Sequence, residues 1–317
     1  MNGSGILAEY ELTGALAGLR LLDLADLGRY RAAIDGTARV CWQHYFPFLY
    51  FYYGVGSREQ LLIEEIDGAV CIYRISTKEG KPYLLLYFLP FPFNPDVLRQ
   101  ALARVRAFNS NPRAVIYWVD EEDLGLLAQI WETIRAYPMN REYIYAPSAY
   151  RSLAGKATRN LRRNLDKIIA RDDIEVRDFN VADGGDCLAL LDEWADQQEV
   201  KYGRVSYQRY TRNCIELADR FARPDLFGKV ILVGGRIRSF GFAGEIRKGM
   251  ANLFITYSDL NIKGLNQYLY YQLLLDLEGC ELANAAMADT PGLKFAKEAL
   301  CPVSTHGMFR VHMTPEE

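Results

Sequence analysis

Apolar runs in this chain are short, and turn residues close each of them early. Leu61–Ile66, Ala69–Ile75, Tyr83–Leu89 and Ala114–Val119 are rich in β-branched and aromatic residues, the composition of strands. Between such runs, apolar residues recur every three or four positions, as in a helix that buries one face. This alternation predicts helices packed on mixed sheets, an α+β class. Asp67-Gly68 and Gly234-Gly235 mark hairpins, because a tight two-residue turn needs positive φ. The most apolar windows, Tyr45–Val55 and Tyr83–Phe93, fall well short of the ~20 residues a membrane helix requires. No transmembrane segment is expected. Met1–Tyr10 lacks the basic start and apolar stretch of a secretory signal.

The order of elements divides the chain in two. The 317 residues suit two domains of ordinary size. Half are apolar and 13% aromatic, enough for a core in each. In the first half the pattern predicts helices over Leu24–Ile34, from Asp96 as cap to Phe108, and over Glu121–Ala136, then a strand at Arg141–Tyr145. Ala146-Pro147-Ser148 marks the boundary, giving lobes 1–147 and 148–317. In the second half, strands are predicted at Ile174–Phe179, Lys229–Val233, Ile237–Glu245, Ala251–Tyr257, Glu281–Met287 and Met308–Val311. Helices are predicted at Gly185–Gln198, Tyr207–Ala222, Asn266–Leu277 and Thr290–Leu300.

The second lobe opens with the most distinctive stretch, a long helix predicted from Ala149 to Arg171 with Ser148 as cap. Helical geometry puts Leu153, Ala154, Ala157, Leu161, Leu165 and Ile168 on one side. Lys156, Arg159, Arg163, Lys167 and Arg171 fall on the other side, within an arc of about 120°. The net charge is only -3, so attraction to phosphate has to be local, and this ridge supplies it. Arg162 lies off the ridge, suited to a bidentate contact with phosphate or carboxylate. Asp166, Asp172 and Asp173 offer the competing account, a solvated face with its own counter-charges.

Other chemistries are poorly served. Cys41, Cys71, Cys187, Cys214, Cys280 and Cys301 stand singly, and the histidines are His44, His306 and His312. Neither set has zinc-ligand spacing, so no metal site is expected. The cysteines are expected as reduced, core-filling thiols of a cytoplasmic protein. No histidine stands in a Ser or Cys constellation of hydrolase type. Transfer of an acyl group to an amine needs a proton acceptor and donors for an oxyanion. Glu245 follows the small residues of Gly241-Phe242-Ala243-Gly244, which admit a ligand close to backbone; it is the first candidate base, or else pairs with Arg247 or Lys248. Asp289 precedes the helix start Thr290-Pro291, to orient an amine or to cap the helix. Tyr257 and Ser258 are candidate oxyanion donors or ordinary core and turn residues. Lys294 and Lys297 bind a substrate carboxylate or phosphate, or form a solvent face. Tyr268, Tyr270 and Tyr271 read as packing with polar tips.

Three segments carry a resemblance. Leu153-Ala154-Gly155-Lys156-Ala157-Thr158-Arg159-Asn160-Leu161-Arg162-Arg163-Asn164 follows the aromatic strand Tyr143-Ile144-Tyr145. Gly292-Leu293-Lys294-Phe295-Ala296-Lys297 is preceded by Asn284 and Asp289 and followed by Pro302. Asn94–Ala128 runs Pro-rich turn, helix, apolar strand and acidic Glu121-Glu122-Asp123. Together they resemble the C-terminal domain of phosphatidylglycerol lysyltransferases, related to the Fem-type peptidyltransferases. The resemblance implies two tandem GNAT-like lobes. It also implies transfer of an aminoacyl group from aminoacyl-tRNA to an amine or hydroxyl, on a lipid head group or a small molecule. No certain cofactor is implied beyond that donor. The chain departs from the family at Ala285–Ala288, all apolar, where members tend to carry a carboxylate, and it lacks the membrane-spanning portion of lipid-modifying enzymes, which weighs against a lipid acceptor. The competing donor is acyl-CoA, which GNAT enzymes hold at a helix start. There this chain has Asn261-Ile262-Lys263-Gly264-Leu265-Asn266, in which only Gly264 fits. A non-catalytic, ligand-binding descendant is the third possibility.

Overall fold

The computed structural model describes residues 14–131, 134–203 and 208–314. The readings made on Met1–Tyr10 and on a helix start at Tyr207 lie outside them. Two compact units emerge: residues up to Arg141 together with those from His306, and Glu142–Thr305.

The first unit holds β1 (Arg20–Leu21), α1 (Leu27–Asp35), α2 (Phe46–Leu49), β2 (Gln60–Ile66), β3 (Ala69–Lys78), β4 (Lys81–Leu86), α3 (Pro95–Asn109), β5 (Ala114–Asp120) and α4 (Glu121–Ile130). Asp67 and Gly68 both take positive φ, closing the β2–β3 hairpin in register from Gln60↔Ile75 to Ile66↔Ala69. α3 starts on Pro95 and is capped by Asn94, whose side chain accepts from the Asp96 and Val97 amides, so the cap precedes the expected Asp96 by two residues. α4 stops at Ile130 because Trp131 is extended. A strand, not more helix, follows: β6 (Ile134–Tyr145).

β6 leads into the second unit, which adds α5 (Pro147–Ser152), α6 (Arg159–Ile169), β7 (Ile174–Asp178), α7 (Gly184–Tyr202), α8 (Gln208–Leu217), β8 (Phe227–Val233), β9 (Arg236–Arg247), β10 (Met250–Ser258), α9 (Leu265–Leu275), β11 (Leu282–Met287) and α10 (Pro291–Glu298). The last strand, β12 (Ser304–Met313), pairs antiparallel with β5 from Met308↔Asp120 to Met313↔Ala114. This pairing returns the C-terminal residues to the first unit, where a contiguous second lobe to residue 317 does not put them.

Both units are α+β and share one plan. In each, antiparallel strands lead to a parallel pair joined through a helix, β4–α3–β5 and β10–α9–β11, since parallel neighbours need a crossover. An antiparallel strand then follows, β12 on β5 and β6 on β11.

The long helix expected over 149–171 is two helices. Leu153 and Gly155 adopt left-handed φ of 47° and 96°, which a continuous α-helix does not tolerate. The freed carbonyls find side-chain donors: Thr158 Oγ1 lies 2.5 Å from the Leu153 oxygen and 3.1 Å from that of Ala154, and Arg162 also donates to Leu153. Pro147, not Ser148, opens α5, without a side-chain cap. α6 keeps its apolar keel, with Leu161, Leu165 and Ile168 buried against Leu265, Leu269 and Leu273 of α9 in one core.

Candidate functional site

The β10–α9–β11 crossover builds the site. β10 and β11 pair in parallel only from Met250↔Leu282 to Asn252↔Asn284, although β10 continues to Ser258 and β11 to Met287. Beyond the two asparagines no pairing joins them. Carboxyl ends of parallel strands are where open α/β sheets receive ligands. Asn252 and Asn284 are fully buried there, beside an equally buried Glu142 from β6. Asn284 Nδ2 donates to Glu142 Oε2 at 2.6 Å, and Asn284 Oδ1 accepts from the Ala286 amide at 2.8 Å. Ala286 takes a φ of 62°, and the β11–β6 register slips between Asn284 and Met287. Ala285–Ala288 lack the expected carboxylate, and Glu142, from the neighbouring strand, lies in register with Met287. Glu142 was missed in the sequence; its signal was one carboxylate inside the aromatic strand of Tyr143-Ile144-Tyr145.

Lys297 faces inward from α10 and is only 4% exposed, so it is no solvent-face lysine. Its ammonium donates to the carbonyls of Ala285, Ala286 (3.0 Å) and Met287 (2.6 Å). Three N–H donors meet three acceptors, and its role is to hold the irregular end of β11. Burial pushes its pKa down from 10.5 to about 7, against the opposing pull of Glu142 and Asp289. Asp289 itself is exposed, and Thr290, not Asp289, caps α10 by accepting from the Leu293 amide at 3.2 Å. Lys294 is exposed, 3.8 Å from Glu298.

At the end of β10 the two oxyanion candidates part company. Ser258 is buried in a hydroxyl pair with Ser239 at 2.6 Å and reaches Asn266, near the start of α9, at 3.5 Å. Tyr257 belongs to packing: its ring stacks on Phe240 at 5.5 Å and meets Trp194 edge-on at 4.7 Å. Its hydroxyl is 3.4 Å from Thr211. Gly264 precedes α9 with φ 89°, and a Cβ there would lie 3.3 Å from Ile168 of α6. The turn and the neighbouring helix therefore account for this glycine.

The basic ridge survives the break in the helix. Arg159, Arg163 and Lys167 on α6 are exposed, as is Lys156 in the loop before it. None of the four forms an ion pair among the described residues; Arg171 is neutralised by Asp173 at 2.7 Å. Arg162 is half-buried and spent on the Leu153 carbonyl. Asn164 donates to Gln267 at 3.0 Å, which seats α6 beside the first turn of α9, close to where β10 ends.

A family model described as phosphatidylglycerol lysyltransferase, C-terminal, matches residues 47–311. The chain belongs to that family. Membership makes it aminoacyltransferase-like. A comparison with curated proteins found no match. Among solved structures, the chain is similar to a conserved protein of unknown function from Bacteroides thetaiotaomicron VPI-5482, with a TM-score of 0.79, 17% identity and coverage of 93% of this chain and 99% of that one. It is similar to L-PGS from Bacillus licheniformis at TM-score 0.62 and 15% identity, covering 92% of each. It is also similar to a tandem GNAT protein from the clavulanic acid biosynthesis pathway at TM-score 0.50 and 11% identity, covering 94% and 99%. The fold is therefore two tandem GNAT-like lobes. No helix of the described residues is long and apolar enough to cross a membrane.

In this phosphatidylglycerol lysyltransferase-like chain, Glu245 stands apart from the other candidates. It pairs in register with Ala251 near the start of β10, whereas Ser258 ends that strand seven residues on, roughly 23 Å away at strand rise. Glu245 instead lines a pocket of about 410 Å³ at the far end of α9. The small residues before it serve packing at Gly241, where a Cβ would lie 2.7 Å from the Ile255 oxygen and 3.0 Å from Leu273 of α9. The helix, rather than a ligand, takes up that closeness.

Proposed function

We propose that the second lobe transfers an aminoacyl group from aminoacyl-tRNA to an amine or hydroxyl acceptor at the carboxyl ends of β10 and β11. The observation that carries this reading is the set of exposed cations, Lys156, Arg159, Arg163 and Lys167, which form no ion pair among the described residues, with α6 seated beside the start of α9. Tandem phosphates of an acceptor stem supply the matching charge, and shape and backbone rather than base sequence give the contact. In the reaction the acceptor attacks the ester carbonyl, the ester C–O bond breaks, and the ribose oxygen leaves with the proton that the nucleophile gives up. The ester is already activated, so positioning supplies much of the rate. Asn252 and Asn284, buried where the strands part, act as positioning residues that hold the strand ends. Glu142 and Lys297 act behind them as positioning residues. Asp289, exposed two residues beyond the end of β11, is the carboxylate that orients an incoming amine in this reading. The degenerate turn at Gly264, explained by packing, gives acyl-CoA no support.

The test is tRNA binding by the intact chain and by the triple variant Lys156→Glu, Arg159→Glu, Arg163→Glu. Binding weakened at least tenfold in the variant, with its thermal midpoint unchanged, supports the proposal. Equal binding by both proteins rejects it. Thermal stabilisation by acetyl-CoA and not by aminoacyl-tRNA would move the donor to a thioester. Stabilisation by neither would leave a ligand-binding protein without transfer chemistry.

A further inference from the structure

One end of the first unit's sheet gathers cations that the transfer reaction does not use. Strand order there runs β3-β4-β5-β12-β6. β3 and β12 run antiparallel to β4 and β5, so the ends of the first two meet the starts of the second two. The start of β6 joins them, since the Tyr137 ring lies 4.8 Å from that of His312 on β12. This register places Lys78, Lys81, Arg113 and Arg135 along one rim, all exposed. Arg310, half-buried, stands two residues before His312 on β12. None of the five forms an ion pair among the described residues. The carboxylate in this row is Glu79, exposed at the turn between β3 and β4. The cations also converge on one point: burial lowers the His312 pKa from 6.5, and Arg310, Arg113, Lys78 and Arg135 push it further the same way. A neutral imidazole thus sits in a positive field that the fold does not cancel.

Such a field needs an anionic partner, and the row is broad. Four strand spacings of about 4.8 Å make it roughly 19 Å across, more than one small anion covers. The rings among the cations already carry partners. Lys78 lies over Tyr83 at 5.0 Å, Arg310 over Tyr117 at 4.4 Å, and Tyr137 leans on His312. No ring is held open as a platform for a stacked base, which weighs against RNA. Tyr137, 47% exposed, instead offers an amphipathic ring of the kind that settles at head-group level. No large aliphatic side chain is exposed along the rim among the described residues, which suits adsorption rather than insertion. We propose that this end of the first unit docks on an anionic lipid surface, with its cations on lipid phosphates and Tyr137 among the head groups. The surface is independent of the transfer reading, since it shares no residue with the cleft or the basic ridge.

Co-sedimentation of the full chain with vesicles tests it, comparing phosphatidylcholine alone with phosphatidylcholine containing about a third phosphatidylserine. Binding to the anionic vesicles should be at least tenfold stronger, and should fall when salt rises from about 50 to about 300 mM. Each cation near such a surface is worth about fivefold in partitioning. Arg135→Gln should therefore weaken binding about fivefold, and the triple variant Lys78→Glu, Arg113→Glu, Arg135→Glu at least twentyfold. These positions are exposed, so the thermal midpoint should not move. The ridge variant Lys156→Glu, Arg159→Glu, Arg163→Glu should bind vesicles within about twofold of the parent. No preference for the anionic vesicles, equal binding by parent and rim triple variant, or loss in the ridge variant instead would each overturn the proposal. A rim variant that loses tRNA and keeps vesicle binding would overturn it in favour of RNA. Unchanged tRNA binding in the rim variant is the expected result, and it keeps failure here separate from failure of the transfer proposal.

Discussion

At neutral pH Lys297 sits near the midpoint of its own titration, because burial has pushed it from 10.5 to about 7. Below about pH 7 the folded and unfolded chains both hold this proton, and above about 10.5 neither does. Between those limits the unfolded state holds it and the folded state progressively does not, so stability rises with pH across that window. The slope from this single group approaches about 1.4 kcal/mol per pH unit. Urea unfolding of parent and Lys297→Met chains at pH 6 to 10 isolates it: the difference between them should change by that slope above pH 7 and stay flat below. Glu142→Gln removes one of the charges that favour the ammonium while keeping an acceptor for Asn284. The onset of the slope should therefore move to lower pH. An unchanged onset would mean that Glu142 does not act on Lys297. Neither role was legible from residue type. Alternation along a strand shows which way Glu142 points, but its partner comes from β11, 142 positions on.

Among the elements, glycines separate what local sequence dictates from what packing demands. Gly155 holds a φ of 96° with nothing within 4 Å of a Cβ, so Gly155→Ala is a pure backbone strain and should cost about 1 kcal/mol. Gly241 has ordinary φ, but a Cβ there would meet the Ile255 carbonyl at 2.7 Å and two leucines of α9. A backbone atom cannot yield as a flexible side chain does, so Gly241→Ala should cost more than 2 kcal/mol, toward the upper end of overpacking penalties. Thermal unfolding of the two variants checks the order; an equal shift would show that α9 moves away from β9 easily. The broken helix teaches the same distinction. Its amphipathic spacing was real from Arg159 onward, yet Gly155 and the Leu153 turn end the helical path before it. Periodicity reports which side chains share a face, and left-handed backbone at two positions leaves that pattern intact while interrupting the helix.

For the whole molecule, a net charge of -3 predicts no general affinity for polyanions, so any tRNA binding has to come from the local ridge. Each neutralised phosphate adds about 0.7 to 0.9 to the slope of log K against log salt. Three or four contacts from Lys156, Arg159, Arg163 and Lys167 should give a slope of roughly -2 to -4, and the triple reversal should bring it close to zero. A parent slope near zero would remove the ridge from the binding surface. Sequence alone determined the α+β class, the two hairpins, the crossover strands and the cationic face, because each is written in neighbouring residues through turn chemistry and period. Tertiary structure alone decided that Lys297 is buried on three carbonyls, that Glu142 stands beside Asn284, and that Glu245 opens on a pocket away from the carboxyl ends of β10 and β11. Those facts depend on which distant strands pair and in what register, and a residue's own neighbours in the chain do not carry that information.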